Sequence, residues 1–309
     1  MIKKILFIAV FSALVLPNAA AQEHKGESQN IVVNGSQRNF VFFTPGKVNS
    51  PMPLVIALHA NGGTSKGFEK YTGFSDLAAK EKFMVMYPQG CHNTWNVTGM
   101  QPVGDIKNTC NDLSFIKELV LYAIKECNAD KDNIFLFGYS RGGAMALHVS
   151  DTLAKMFRGM ALISSSITTK RAAYFGARIG LPVLLMNGTS DPVIPYEGGN
   201  AQNTDLNKNY SYLHSDSLLQ MFLKVNGCNT EPVETEIPDK DKEDGASAVS
   251  FTWKSTINNT EVMLVKVNGG GQGIPGCGQH QAKRYIGSVC NDFNGSSMAW
   301  DFFKRNMKQ

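Results

Sequence analysis

Short apolar runs recur along the chain at 54–58, 83–87, 134–137, 159–163, 182–186 and 262–267, bounded by turn-forming residues. Unbroken runs of that length fit strands buried on both faces of a parallel sheet. Between them the spacing lengthens to that of a helix. The stretch 111–126 places Leu113, Ile116, Leu119, Val120 and Ile124 on one face, with Asp112 near its start, where a carboxylate favours the positive end of the helix dipole. A second helix at 217–225 stops at Asn226-Gly227, and a last one at 296–308 buries Trp300 and Phe303. Strict alternation at 30–33 and 39–43 surrounds Asn34-Gly35, a pair that accepts the positive φ angles of a tight hairpin. Strands alternating with helices predict an α/β fold built on one sheet. Polar stretches at 200–212 and 239–246 read as surface loops.

The amino terminus has a different pattern. Lys3 and Lys4 precede an apolar run at 5–16, followed by Pro17 and Ala19-Ala20-Ala21, the three-part layout of a secretory signal cleaved after Ala21. The run is too short to span a bilayer. The expectation is a secreted or periplasmic chain, 22–309, forming a single domain of 288 residues with no membrane anchor. Losing both lysines lowers the formal charge from +4 to +2, a balance that argues against a nucleic-acid partner. All six cysteines (Cys91, Cys110, Cys127, Cys228, Cys277 and Cys290) fall in the mature part, where an oxidising compartment favours disulfides. Their spacings match no zinc motif, so no metal is expected. Oligomeric state leaves no trace in the sequence.

Candidate chemistry begins where the run 134–137 meets Gly138-Tyr139-Ser140-Arg141-Gly142-Gly143 and then Ala144-Met145-Ala146-Leu147. A strand, a sharp turn carrying Gly-x-Ser-x-Gly and a helix form a nucleophile elbow, which makes Ser140 the candidate nucleophile. The run 54–58 ends in His59-Ala60-Asn61-Gly62-Gly63, so the amides of Asn61 and Arg141 are the candidate oxyanion donors. One such donor is worth about 3 to 4 kcal/mol of barrier. In the chain order Ser, Asp, His, the acid follows 182–186 at Asp191, in Asn187-Gly188-Thr189-Ser190-Asp191-Pro192.

These pieces resemble secreted α/β-hydrolase esterases, a family that includes poly(3-hydroxybutyrate) depolymerase-like proteins, feruloyl esterases and acetylxylan esterases. The segments that carry the resemblance are LVIALHANGGTSKGFEKYTGFSDLAAKEKFMVMYPQG, NDLSFIKELV, IFLFGYSRGGAMAL, LLMNGTSDPVIPYEGG and the closing GGGQGIPG to WDFFKR. The resemblance implies the α/β-hydrolase fold, a mostly parallel central sheet with helices on both faces. It also implies ester hydrolysis with no metal or organic cofactor. Ser140 would attack, a histidine would take its proton, and Asp191 would hold that histidine in its working tautomer.

The family pattern Gly-Gly-Gly-His-x-Trp-Pro-Gly meets Gly269-Gly-Gly-Gln272-Gly-Ile274-Pro-Gly in this chain. A glutamine amide accepts no proton near neutral pH, and loss of the triad histidine costs on the order of a million-fold. Of six histidines, His24 lies at the mature amino terminus, His59 reads as structural, His148 as packed in a helix, and His92 and His214 as loop or helix-start residues. His280 alone lies past the last strand, and a fold-back of the loop between Gln272 and His280 would make it a relocated base. Gln272 would then line the pocket or bond Asp191. Trp95 is either a substrate-stacking ring or a buried anchor of a disulfide loop.

Two functional expectations follow. One is a serine ester hydrolase using Ser140, Asp191 and His280 on small-molecule or polymer esters. The other is a disabled hydrolase fold that binds through the same pocket.

Overall fold

The computed structural model describes residues 24–97, 110–176, 180–201, 210–228, 230–257 and 260–309. The expected signal segment, 1–21, lies outside them. The described chain begins with a hairpin of β1 (Glu27–Val33) and β2 (Ser36–Phe43), turned at Asn34 and Gly35 with φ of 50° and 77°. The predicted Asn-Gly turn is therefore present. β3 (Met52–Leu58) leads through α1 (Ser65–Thr72) and α2 (Phe74–Glu81) to β4 (Met84–Pro88). α3 (Asp112–Glu126) precedes β5 (Ala129–Tyr139), α4 (Arg141–Leu153) precedes β6 (Gly159–Ile163), and α5 (Thr169–Ala172) precedes β7 (Val183–Gly188). Two-residue strands β8 (Gly199–Asn200) and β9 (Ser211–Tyr212) pair with each other ahead of α6 (Ser215–Asn226). The chain closes with β10 (Val233–Ile237), β11 (Ser247–Lys254), β12 (Glu261–Asn268), α7 (Lys283–Ile286) and α8 (Gly295–Arg305).

Ten strands form one sheet in the order β1-β2-β4-β3-β5-β6-β7-β12-β11-β10. The middle six, from β4 to β12 in that order, run parallel, and an antiparallel pair flanks each edge. Six unbroken apolar runs in the sequence are these six central strands. Alternate residues feed two cores, because successive strand side chains leave opposite faces. Ile134, Leu136, Leu185 and Leu264 join Phe115 of α3, Met145 of α4 and Phe222 of α6. Phe135, Phe137, Tyr139 and Met186 join Phe68 of α1, Phe74 of α2 and Phe302 of α8. This is the α/β-hydrolase architecture, with helices on both faces.

Some expectations need correction. The buried face of α3 is Phe115, Ile116, Leu119, Val120 and Ala123, while Leu113 and Ile124 sit at its margins. Asp112 does not face solvent at the helix start. It is buried, bonds Arg38 Nη2 at 2.6 Å and accepts the Asn96 amide at 2.7 Å. Burial raises its pKa, and the Asn96 amide and Arg38 oppose that rise. The polar stretch 200–212 is not loop throughout, since its two ends are β8 and β9; 202–209 lies outside the described residues. One disulfide, Cys91–Cys110, is formed, and the other four cysteines are free thiols.

Candidate active site

Ser140 stands between β5 and α4 with φ 54° and ψ −121°, a conformation that costs a residue with a side chain roughly 1–3 kcal/mol. The surroundings hold it there. Its amide bonds Ile163 O at 2.9 Å, and its carbonyl accepts the Gly143 amide at 2.9 Å and Ser165 Oγ at 2.8 Å. The flanking glycines are required by space. A Cβ on Gly138 would lie 2.5 Å from Gly142 O, and one on Gly142 would lie 2.0 Å from Leu58 O. Gly-x-Ser-x-Gly is thus the condition for α4 to leave the sheet edge against β3.

The loop after β3 faces this turn. Asn61 N–H makes no hydrogen bond among the described residues, while Asn61 Oδ1 accepts Thr94 Oγ1 at 2.6 Å. Arg141 is the first residue of α4, where amide N–H groups have no intrahelical acceptor, and its Nε donates to Trp95 O at 3.0 Å. His59 is buried between strand end and loop. Nδ1 donates to Ala60 O at 2.7 Å and Nε2 accepts the Gly90 amide at 3.0 Å, which fixes one neutral tautomer. Burial pushes its pKa down to about 4, so it is the structural residue expected. Trp95 is fully buried, packs tilted against His59 with ring centroids 4.8 Å apart and donates Nε1–H to His59 O at 2.7 Å. It anchors the chain just after Cys91 and leaves no ring surface for a substrate.

Asp191 lies on the loop after β7 and is 4% exposed. Oδ1 accepts the amides of Val193 at 2.8 Å and Ile194 at 2.9 Å, whereas Oδ2 has no partner. Burial pushes its pKa up to about 8 against the pull of those two N–H groups. The loop after β12 packs on this one: Ser190 N–H donates to Gly270 O at 2.9 Å, and a Cβ on Gly188 would lie 2.2 Å from the same oxygen. Such close backbone contact explains the glycine run 269–271. Next comes Gln272, 3% exposed, with its amide on Ile286 O and its carbonyl accepting Tyr139 Oη–H at 3.2 Å. Its Nε2 donates to Ser164 O at 3.2 Å, and its Oε1 has no partner.

His280 is placed elsewhere. It lies at the surface, its ring 4.7 Å from that of Tyr71, and its Nε2 is 3.3 Å from Tyr139 Oη. With the Tyr139 proton given to the Gln272 carbonyl, the tautomer that fits this contact carries its proton on His280 Nε2. Tyr139 faces the α1–α2–α8 layer, while Ser140 starts the turn into α4 on the other layer. Among the described residues, no hydrogen bond joins His280 to Ser140 or Asp191. Partial burial lowers its pKa and keeps the ring neutral. Cys277, on the same loop, is a free thiol beside Ser296 Oγ and does not fix the loop by a disulfide.

Asp244, Cys290 and Asp292 bring ligand atoms within 4.8 Å of one another. Their carboxylate oxygens already accept amides of Lys240, Asp241, Ala246 and Asn291, which makes the cluster a loop fastening. A surface cavity of about 370 Å³ lies between His24–Gly26 and the α1–α2 corner, away from Ser140. No helix among the described residues is long and apolar enough to cross a membrane.

Comparison with known proteins adds family information. The sequence profile described as Phospholipase/Carboxylesterase matches residues 50–222, a span that holds Ser140 and Asp191 and stops short of Gln272 and His280. A Nocardia uniformis subsp. tsuyamanensis protein carrying an esterase name, NocK, is 23% identical over 89% of this chain and 81% of its own length. A protein named feruloyl esterase C in Aspergillus oryzae is 26% identical over 64% of this chain and 73% of its own. Among solved structures, the acetyl xylan esterase from Aspergillus awamori superposes with a TM-score of 0.54 at 14% identity, covering 78% of this chain and 93% of that one.

Proposed function

Because the chain belongs to the phospholipase/carboxylesterase family, we propose that it binds carboxylic esters at Ser140 and hydrolyses them slowly, through an acyl-serine, for want of a general base. Acetyl and feruloyl-type esters are the substrate class, by analogy with the names of its relatives. The observation that carries this reading is Gln272, buried in the family's histidine position with its amide committed to Ser164 O. The strained turn at Ser140 supports the nucleophile, and the amides of Asn61 and Arg141 supply the oxyanion donors. Without an imidazole the Ser140 Oγ proton passes to water as the acyl-serine forms, which slows the step by up to about 10⁶-fold relative to a complete triad. Secretion or periplasmic location belongs to the same proposal and is supported by the Cys91–Cys110 bond.

A second reading, full esterase activity with His280 as relocated base, is favoured by one feature: a neutral imidazole at the surface of the terminal loop, in contact with the residue before the nucleophile. Steady-state hydrolysis of p-nitrophenyl acetate and methyl ferulate separates the two. The slow-hydrolase reading expects Ser140→Ala to abolish the weak activity and His280→Ala to leave it within about 2-fold of the parent. Loss of activity in both variants, from a parent of ordinary esterase rate (kcat on the order of 10 s⁻¹), would establish the relocated base instead.

A further inference from the structure

Two buried acceptors in the site, Asp191 Oδ2 and Gln272 Oε1, lack a donor. The Gln272 orientation is fixed by chemistry, because the Ser164 carbonyl can only accept and so must face Nε2. Oε1 is then the end left without a donor. On the other side, Asp191 Oδ1 is already filled by two amides, so Oδ2 is the atom left to find a partner. The loops that carry the two residues are clamped at Ser190 and Gly270, one residue before Asp191 and two before Gln272. Two acceptors cannot bond each other, but a single proton on either satisfies both.

We propose that Asp191 is a neutral acid in the resting protein and that its Oδ2–H donates to Gln272 Oε1, an acid–amide pair in place of an acid–imidazole pair. The inference rests on the reading that Gln272 holds the family's base position. Asp191 is then a positioning residue for Gln272.

The groups around Asp191 agree with a proton at that atom. Burial pushes the phenols of Tyr139 on β5 and Tyr212 on β9 up, any charge on Asp191 would push them further, and both stay neutral, so neither offers a counter-charge to a carboxylate. Arg141 of α4 acts on Tyr212, and for Asp191 itself burial outweighs the two amides. Histidine at 272 would reverse the balance, since an imidazole N–H donates to a carboxylate and holds it ionised.

Carbon-13 NMR of protein labelled at the aspartate carboxyls tests the pair directly, with Asp191→Asn to assign the signal. In the parent, the Asp191 carboxyl should titrate near pH 8, and the Gln272 side-chain amide should shift with the same midpoint. In Gln272→His, shown by circular dichroism to be folded, the carboxyl midpoint should fall below 5. A parent midpoint in the ordinary carboxylate range near 3.8 overturns the proposal, as does a Gln272 amide that ignores the titration. The activity assay is a separate arm. If Gln272→His gains no activity while the carboxyl behaves as stated, the pair stands and the ester-hydrolysis reading falls. If activity appears but Asp191 is ionised throughout in the parent, the reading stands and the pair falls.

Discussion

The two halves of the candidate site are built to different standards. On the nucleophile side, every backbone group of Ser140 described here has a partner, and glycines at 138 and 142 admit no added atom. On the proton-handling side, two buried side-chain oxygens on loops clamped together at Ser190 and Gly270 have no donor, and the His280 ring contacts Tyr139. The elbow is fixed by local sterics that any occupant of the fold must satisfy, so its survival reports on the fold as much as on the chemistry. The acid–base half is held only by what its side chains do for one another. On the proposed reading, that is where a single glutamine alters the chemistry while leaving the architecture intact.

The largest expected effect breaks the rigid half. Gly142→Ala would drive a Cβ to 2.0 Å from Leu58 O and 2.6 Å from His59 O, both rigid backbone, and should lower stability by more than about 4 kcal/mol in urea unfolding or leave no soluble protein. Next comes the support beneath the disulfide loop. Arg38→Met strands the buried Asp112 carboxyl and removes the guanidinium stacked 4.0 Å above Phe115, for a loss of about 3 to 5 kcal/mol.

A smaller effect probes the other half through pH. Asp191 has its folded pKa raised above 3.8 to about 8, so between those values the folded state keeps a proton that the unfolded state releases. Stability contributed by this group is complete below 3.8, falls as pH rises through the window and is constant above about 8. Asp191→Asn keeps the hydrogen-bonding shape of the neutral acid and should not show this loss. Thermal melts from pH 4 to 9 should open a Tm gap in its favour of at least about 3 °C. The smallest effect is His280→Ala, which removes an exposed ring from Tyr71 and Tyr139 and should change stability by under about 1 kcal/mol.

Much of this arrangement was legible in sequence where a local rule dictates it. Asn34-Gly35 specifies its own turn, the central strands advertise burial on both faces, and Gly138-x-Ser140-x-Gly142 follows from the clash each Cβ would make. Elements with no local signature were missed. β10 presents nearly every residue to solvent, so Val-Glu-Thr-Glu-Ile has no buried period to read, and β11 takes its place from pairing with β12. The buried faces of the eight-residue helices α1 (Ser65, Phe68, Thr72) and α2 (Phe74, Ser75, Ala78) hold too few apolar residues to stand out in sequence. Contacts between distant segments were equally invisible: Arg38 with Asp112, Tyr139 with His280, Gln272 with Ser164. A helix-start carboxylate looks the same in sequence whether it meets water or a buried arginine. Trp95 likewise could be read as a platform or an anchor until its burial decided for the anchor.

On the proposed mechanism the missing imidazole, and nothing in the elbow, limits ester hydrolysis. The most direct test is kcat/KM for p-nitrophenyl acetate in Gln272→His against the parent at pH 8. The account predicts a gain of at least about 10²-fold that disappears when Ser140→Ala is added. A folded Gln272→His protein no faster than the parent would contradict it.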